Sequence, residues 1–274
     1  MAGKVDLHTH TTYSDGALTP YELVIKAKKA GIEILGIADH DNVTALEESI
    51  TLGVQEGIEV IAGVELSATV GDRDIHILGY FFDYQNPTLL DYLALFRKER
   101  LKRAERIVEK LHHLRVPLSM DAVLDQAGVG SVGRPHIANA LLDTGLTDTY
   151  LEAFEKYIGY GCPAYEKKFQ LSPEEAVNII ASAGGISFLA HPGKYTSEAV
   201  LMQLIKGGVD GIEVVHPSHS PELQEYYRNV ASHYYLLESG GSDFHGGKKN
   251  DDWALGTVTV SESLVDAMKR RLFA

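Results

Sequence analysis

The chain has 274 residues, 45% of them hydrophobic and 23% charged, and a formal net charge of −13. Such a length and apolar content fit one large globular domain, or one domain carrying an insertion, and the acidic balance argues against a broad electrostatic grip on duplex nucleic acid. No apolar run approaches the roughly 20 residues of a membrane span, the N-terminus lacks a signal-peptide pattern, and the one cysteine, Cys162, excludes an intrachain disulfide, so a cytoplasmic protein without a membrane partner is expected.

The first apolar run, Val5–Leu7, leads into "HTH" at His8–His10. Thr19 then offers a helix cap with Pro20 at the first position and Glu22 in the first turn, and Gly31 stops that helix. Ile34–Ala38 reads as the next strand, ahead of Asp39 and His40, and Asn42 or Thr44 is expected to start the following helix. Glu59–Val64 is a third run, ending at Glu65, and Asp74–Phe82 a fourth, with His76 inside it. Strands alternating with helices predict βαβ units and a parallel sheet.

From about Pro87 to Lys156 no strand is evident. Leu89–His113 predicts a long, charge-rich helix whose charges are expected on a solvated face, followed by helices over Val116–Gly128, Arg134–Gly145 and Asp148–Lys156. We read residues 87–156 as a helical insertion beside a barrel formed by residues 1–86 and 157–274. The βα rhythm resumes with a helix over Pro173–Ala183 and a strand over Ile186–Ala190, ending at His191. A helix over Ser197–Lys206 and a strand over Gly211–Val215, ending at His216, follow. The last elements are a helix over Pro221–Ser232, a strand over Tyr234–Glu238 before "SGGSDFHGG", a short strand within Leu255–Val260, and a closing helix over Ser263–Leu272.

The strand ends therefore read HTH, DHD, GVEL, AHP, VHPSH and SDFH. In parallel α/β barrels, the C-terminal strand ends converge on one rim, where functional residues collect. A lone histidine is more often a hydrogen-bonded structural residue than a ligand. His8, His10, His40, His191 and His245, together at strand ends and mostly beside acids, point instead to divalent metal, since imidazole and carboxylate suit borderline and hard ions. His8 and His10 are two apart, so on an extended strand both face the same side.

"DLHTHTTYSDGALTP", "GIADHDNVTA", "GVELS", "HILGY", "LAHPG" and "GSDFHG" closely resemble, in order and spacing, the PHP family (polymerase and histidinol phosphatase). The inserted "GRPHIA" resembles a subgroup containing 3′,5′-nucleoside bisphosphate phosphatases and a 5′-to-3′ exoribonuclease. The resemblance implies an α/β fold, a distorted (β/α)7 barrel with a helical insertion, and a trinuclear metal centre. It implies that His8, His10, Glu65 and Asp243 bind one ion, that Glu65 bridges to a second held by His76 and His191, and that Asp15, His40 and His245 bind a third. The ions are left open among Mn, Fe, Zn and Mg. The implied activity is phosphoester hydrolysis of nucleotides or short RNA, with no duplex DNA and no obligate protein partner. Histidinol-phosphate hydrolysis and a non-catalytic metal-binding module are the alternatives.

Asp15, Glu65, Asp243 and His216 are the candidate catalytic residues, His216 as phosphate ligand or as proton donor to the leaving oxygen. Arg134 is the candidate phosphate ligand through two guanidinium donors, and Tyr165 a candidate stacking surface for a base. Lys167 and Lys168 depart from the subgroup, and either bind a second phosphate or face solvent. Asp6, Asp39 and Asp41 are expected either to orient imidazoles or to cap turns in solvent, and Asp72 and Asp74 to belong to a turn. Cys162, His112, His113 and His233 read as structural, His136 as packed within its helix, and His219 as looping outward.

Overall fold

The computed structural model describes residues 3–272, apart from 72, 129, 170 and 195. Strand β1 (Lys4–Thr9) is followed by α1 (Pro20–Lys29), β2 (Ile32–Ile37), α2 (Leu46–Glu56), β3 (Glu59–Val70) and β4 (Arg73–Tyr80). Helices α3 (Pro87–His113), α4 (Met120–Ala127), α5 (Arg134–Asp143) and α6 (Tyr150–Ala153) come next, then a π turn over Phe154–Ile158. The second half runs α7 (Pro173–Ser182), β5 (Ile186–Leu189), α8 (Glu198–Lys206), β6 (Gly211–Val215), α9 (Pro221–His233), β7 (Leu237–Gly240), β8 (Val260–Ser261) and α10 (Glu262–Leu272). No helix among the described residues is long and apolar enough to cross a membrane.

Local chemistry sets most of these boundaries. Thr19 closes a capping box with Glu22 ahead of α1, and Ser172 does the same with Glu175 ahead of α7. Asn42 does not start a helix as expected: its carbonyl accepts from the Thr44 backbone and hydroxyl at 2.9 and 2.7 Å, which ties a turn, and α2 begins only at Leu46. The strand expected from Tyr234 begins at Leu237, because Tyr235 turns the chain at φ 55°. The strand expected within Leu255–Val260 shrinks to Val260–Ser261, since Val258 N–H closes a turn on the Ala254 carbonyl at 2.8 Å.

The strands form one sheet in the order β7-β6-β5-β4-β3-β2-β1-β8. β1, β2 and β3 run parallel, as do β5, β6 and β7, but β4 is antiparallel to both β3 and β5. This corrects the all-parallel reading: Gly71, at φ 62°, lets β3 turn back as a hairpin, so no crossover helix is needed. The sheet curls almost shut. β1 and β6 stand five places apart in that order, about 24 Å if flat, yet His8 of β1 meets Glu213 of β6 at 2.8 Å. Gly241 permits the closure, because a Cβ there would lie 2.5 Å from the His8 nitrogen. The result is the distorted barrel expected, with a two-residue β8 added beside β1.

One apolar cluster joins the sheet to α1, α2, α7 and α8 through residues such as Leu23, Leu46, Ile180 and Leu204. The first third of α3 belongs to it through Leu89, Leu93 and Phe96. The rest of α3 enters a separate cluster with α4, α5 and the π turn, from Ala104 to Ala164. α3 is thus a lever rooted in the barrel that carries the other inserted helices over its mouth.

Candidate metal centre

Glu65 is the hub. It sits fully buried in mid-β3, not at the strand end, because β3 continues through Val70 as the hairpin arm. Its Oε1 lies 2.7 Å from His76 Nδ1 and 2.8 Å from His191 Nε2. Its Oε2 faces His40 Nδ1 at 3.0 Å, His8 Nε2 at 3.3 Å and His10 Nε2 at 3.4 Å. One carboxylate thus divides five imidazoles between its two oxygens. The reversal of β4 explains His76: in an antiparallel strand the N-terminal half reaches the mouth, beside the C-terminal ends of its neighbours.

Asp243 approaches His10 at 3.0 Å and His8 at 3.3 Å, while Asp15 approaches His245 at 3.2 Å and His40 at 3.8 Å. Three groups of mutually close ligand atoms result: His8, His10, Glu65 and Asp243; His10, Asp15, His40 and His245; and His40, Glu65 and His76. All nine expected ligands are therefore brought together, with His40 placed between two groups and His191 reaching in through Glu65. Five of their buried atoms, His8 Nε2, Asp15 Oδ1, His40 Nδ1, Glu65 Oε2 and His76 Nδ1, make no hydrogen bond among the described residues. Orphaned buried polar atoms are costly, and here they converge, so the donor set fits divalent ions.

Charge agrees with this. Burial alone would raise the Glu65 and Asp243 pKa values, but the surrounding imidazoles hold both carboxyls well below the usual range. Asp15 is held low in the same way, by His40 and His245 against its burial. Burial, reinforced by the His10 and His76 rings against the pull of Glu65 and Asp15, holds His40 well below its ordinary value, so its nitrogens stay available as donors of electron pairs.

The supports around this cluster differ from expectation. Glu213, fully buried in β6 and not singled out in the sequence, accepts from His8 Nδ1 and from the His191 backbone at 2.7 Å. That fixes the His8 tautomer and leaves Nε2 aimed at Glu65 and Asp243. Asp6, Asp39 and Asp41 are neither in solvent nor bonded to imidazoles. Asp6 accepts from Ser242 N–H at 2.9 Å, Asp39 from Thr11 N–H at 2.8 Å, and Asp41 from Ser67 N–H at 2.8 Å and from the Arg100 guanidinium. They pin backbone at strand ends. Asp41, His191 and Asp243 hold φ of 48°, 24° and 49°, a left-handed region costing about 1–3 kcal/mol each, and such pinning sustains it.

A cavity of about 250 Å³ opens onto His40, His76 and Asp15 beneath the inserted helices. Arg134, at the start of α5, lies on its wall, 3.5 Å from Asp74 and stacked over the Tyr165 ring at 5.7 Å. Tyr165 thus backs Arg134, and the cavity wall itself is made by other residues. His216 is buried, its Nε2 3.4 Å from Asp243 and its Nδ1 2.8 Å from the Ser218 hydroxyl.

Several other residues fall elsewhere than the sequence suggested. Asp74 is in β4 and pairs with Lys168 at 3.2 Å, whereas Asp72 lies outside the described residues. His219 does not loop outward; it is buried on the Val214 carbonyl and accepts from Gly193 N–H at 3.0 Å. Arg100 and Arg103 are not on a solvated face: both line the cavity, Arg103 donating to the Glu166 carbonyl. Lys249 was also missed; its ammonium lies 2.7 Å from His245 Nε2 and 3.5 Å from Asp15.

Residues 6–86 match the family model described as the PHP domain. The chain is 34% identical to a 5′-3′ exoribonuclease of Haemophilus influenzae over 89% of its own length and 91% of the relative's. It is 33% identical to a 3′,5′-nucleoside bisphosphate phosphatase of Chromobacterium violaceum, over 88% of this chain and 87% of that one. A solved Bifidobacterium adolescentis structure, assigned as a metal-dependent phosphoesterase, superposes with a TM-score of 0.88 at 33% identity, covering 99% of this chain and 97% of that one. With the barrel, the carboxylate-and-imidazole cluster and these full-length likenesses in agreement, the chain belongs to the PHP family and is a phosphoric ester hydrolase.

Proposed function

We propose that the enzyme removes phosphate from nucleotides, as nucleoside monophosphates or 3′,5′-bisphosphates, and hydrolyses short RNA from the 5′ end. The observation that supports this most is Glu65 dividing five imidazoles between its two oxygens next to an arginine-lined cavity. His8, His10, Glu65 and Asp243 would hold one ion, Glu65, His76 and His191 a second, and Asp15, His40 and His245 a third. When bound, such ions supply hydroxide at neutral pH and neutralise charge on phosphoryl oxygens.

The chain's own groups then share the remaining work. Arg134 presents a planar fork of donors that suits a phosphate. To His216, 3.4 Å from Asp243, we assign the transfer of a proton to the departing ester oxygen. The inserted helices roof the cavity. A cavity of this size suits a small phosphorylated molecule or a strand end, in keeping with the acidic net charge.

Turnover of the metal-loaded enzyme on adenosine 5′-monophosphate, adenosine 3′,5′-bisphosphate, a short 5′-phosphorylated RNA and histidinol phosphate tests this. We expect the highest kcat/KM on one of the nucleotide substrates. A preference for histidinol phosphate would overturn the substrate class, and a fully metallated protein inert on the whole panel would overturn the catalytic reading.

A further inference from the structure

The cations around the cavity are not equally committed. Arg100 is engaged by the fully buried Asp41, and Arg103 by the Glu166 carbonyl at 2.7 Å. Arg134 and Lys168, in contrast, converge on one carboxylate, Asp74, at 3.5 and 3.2 Å. The Asp74 side chain is 42% exposed, whereas that of Lys168 is only 17% exposed. Two cations thus share one partly exposed acid on the cavity wall.

Position gives this cluster a meaning. Asp74 and His76 are two apart on β4, so they face the same side about 7 Å from each other. His76 touches Glu65 at the metal cluster. The Arg134–Lys168 pair therefore lies one short step from the reacting phosphate, the scale that separates the two phosphates carried by one ribose, or neighbouring phosphates of one strand. A phosphate offers more charge and more acceptor oxygens than a carboxylate, and Arg134 with Lys168 can meet several of them at once.

Building on the phosphoesterase reading above, we propose that Arg134 and Lys168 form a second anion subsite, which holds the phosphate that is not hydrolysed, and that Asp74 is its internal competitor. The shared ligand chemistry is a second phosphate, from a nucleoside bisphosphate or from the next phosphodiester of an RNA end. Asp74 occupies the subsite when that phosphate is missing and weakens the binding of anything that must displace it. Selectivity between singly and doubly phosphorylated substrates then depends on a pair of opposed charges on β4 and on the segment before α7.

The test compares adenosine 3′,5′-bisphosphate, adenosine 5′-monophosphate and a 5′-phosphorylated dinucleotide on wild type, K168M, K168R and D74N. Binding of each compound by titration calorimetry accompanies kcat/KM, so the subsite is read even on an enzyme that turns over none of them. K168M is expected to lower the bisphosphate-to-monophosphate affinity ratio about tenfold, chiefly through KM, with K168R recovering it to within about threefold. D74N is expected to raise the ratio about threefold. Shifts of opposite sign cannot both come from damaged folding. A ratio unmoved by both K168M and D74N, or moved the same way by both, overturns the proposal. A response confined to the dinucleotide assigns the subsite to a phosphodiester, and one confined to the bisphosphate assigns it to a terminal phosphate. Loss of all turnover in wild type, with the binding order intact, would count against the hydrolytic reading alone.

Discussion

Glu213 Oε1 lies 2.8 Å from His8 Nδ1, with both side chains completely out of solvent, and its other oxygen accepts the His191 backbone N–H at 2.7 Å. One carboxylate thereby orients an imidazole and fixes the turn that carries another. Glu213→Gln keeps the shape but turns an amide donor toward one of these N–H groups. We expect metal affinity to fall by about 10–100-fold, read by competition with a chromophoric chelator. An unaltered affinity would show that Glu213 only fills the barrel.

Asp15→Ala and Glu65→Ala are expected to differ in kind. Asp15 belongs to one of the three ligand groups and Glu65 to two. The first variant should lose about one equivalent of metal by elemental analysis and the second more, each with a fall in turnover of roughly two orders of magnitude or greater. Equal metal content in wild type and Asp15→Ala would refute its place at a separate ion.

Chelation should destabilise the fold, since ligands gathered for an ion repel or go unpaired without it. Binding at 100 times Kd is worth about 2.7 kcal/mol, and a chain of this size shifts by about 2–4 °C per kcal/mol. A drop in Tm of roughly 5–10 °C on removing metal is expected by calorimetry, reversed when the metal is restored. A Tm indifferent to chelator would mean that the cluster is preformed without need of ions.

Arg100 joins the insertion to the barrel. Its guanidinium pairs with fully buried Asp41 and donates to Ser67 Oγ at 2.9 Å. Arg100→Met strands that carboxylate, which typically costs about 3–5 kcal/mol. Denaturant unfolding should report a loss of this order, and Asp41→Asn in the same background should recover part of it. A loss under 1 kcal/mol, on the order of an exposed pair, would place Asp41 in water.

His136 offers a pH signature. Burial pushes its pKa down to about 4 from 6.5, outweighing the pull of Asp15. The unfolded chain therefore takes up this proton first as pH falls. Stability is lost progressively below about pH 6.5 until about pH 4, and the difference is constant below that, up to about 3 kcal/mol in total. His136→Gln retains an acceptor for the Gly133 N–H, which His136 Nδ1 accepts at 3.0 Å, and should flatten this part of the profile. Parallel wild-type and variant profiles between pH 4 and 6.5, in chelated protein, would contradict the shift.

Much of the barrel was legible because short apolar runs end abruptly in histidine or acid, and caps such as Thr19 and Ser172 announce helices by local chemistry. The direction of β4 was not inferred, although only a short polar turn separates it from β3, too little for a crossover helix. Glu213 carried a signal of its own, a lone acid inside the apolar "GIEVV", which is expensive to bury unless partnered. Arg100 and Arg103 carried one too, since they continue the spacing of Leu93, Phe96 and Ile107 along the apolar stripe of α3. What that spacing does not encode is the partner each one meets, Asp41 for Arg100 and the Glu166 carbonyl for Arg103, both far along the chain.

The hairpin of β3 and β4 stands above the metal cluster, with Ser67, Asp74 and His76 on the cavity side. Its outer end runs past Glu65 on two paired strands, so side chains there can be exchanged while Glu65 and the ladder below it keep their place. A lineage, or an engineer, could therefore retune what enters the cavity by editing one turn, while the machinery at its floor stays untouched.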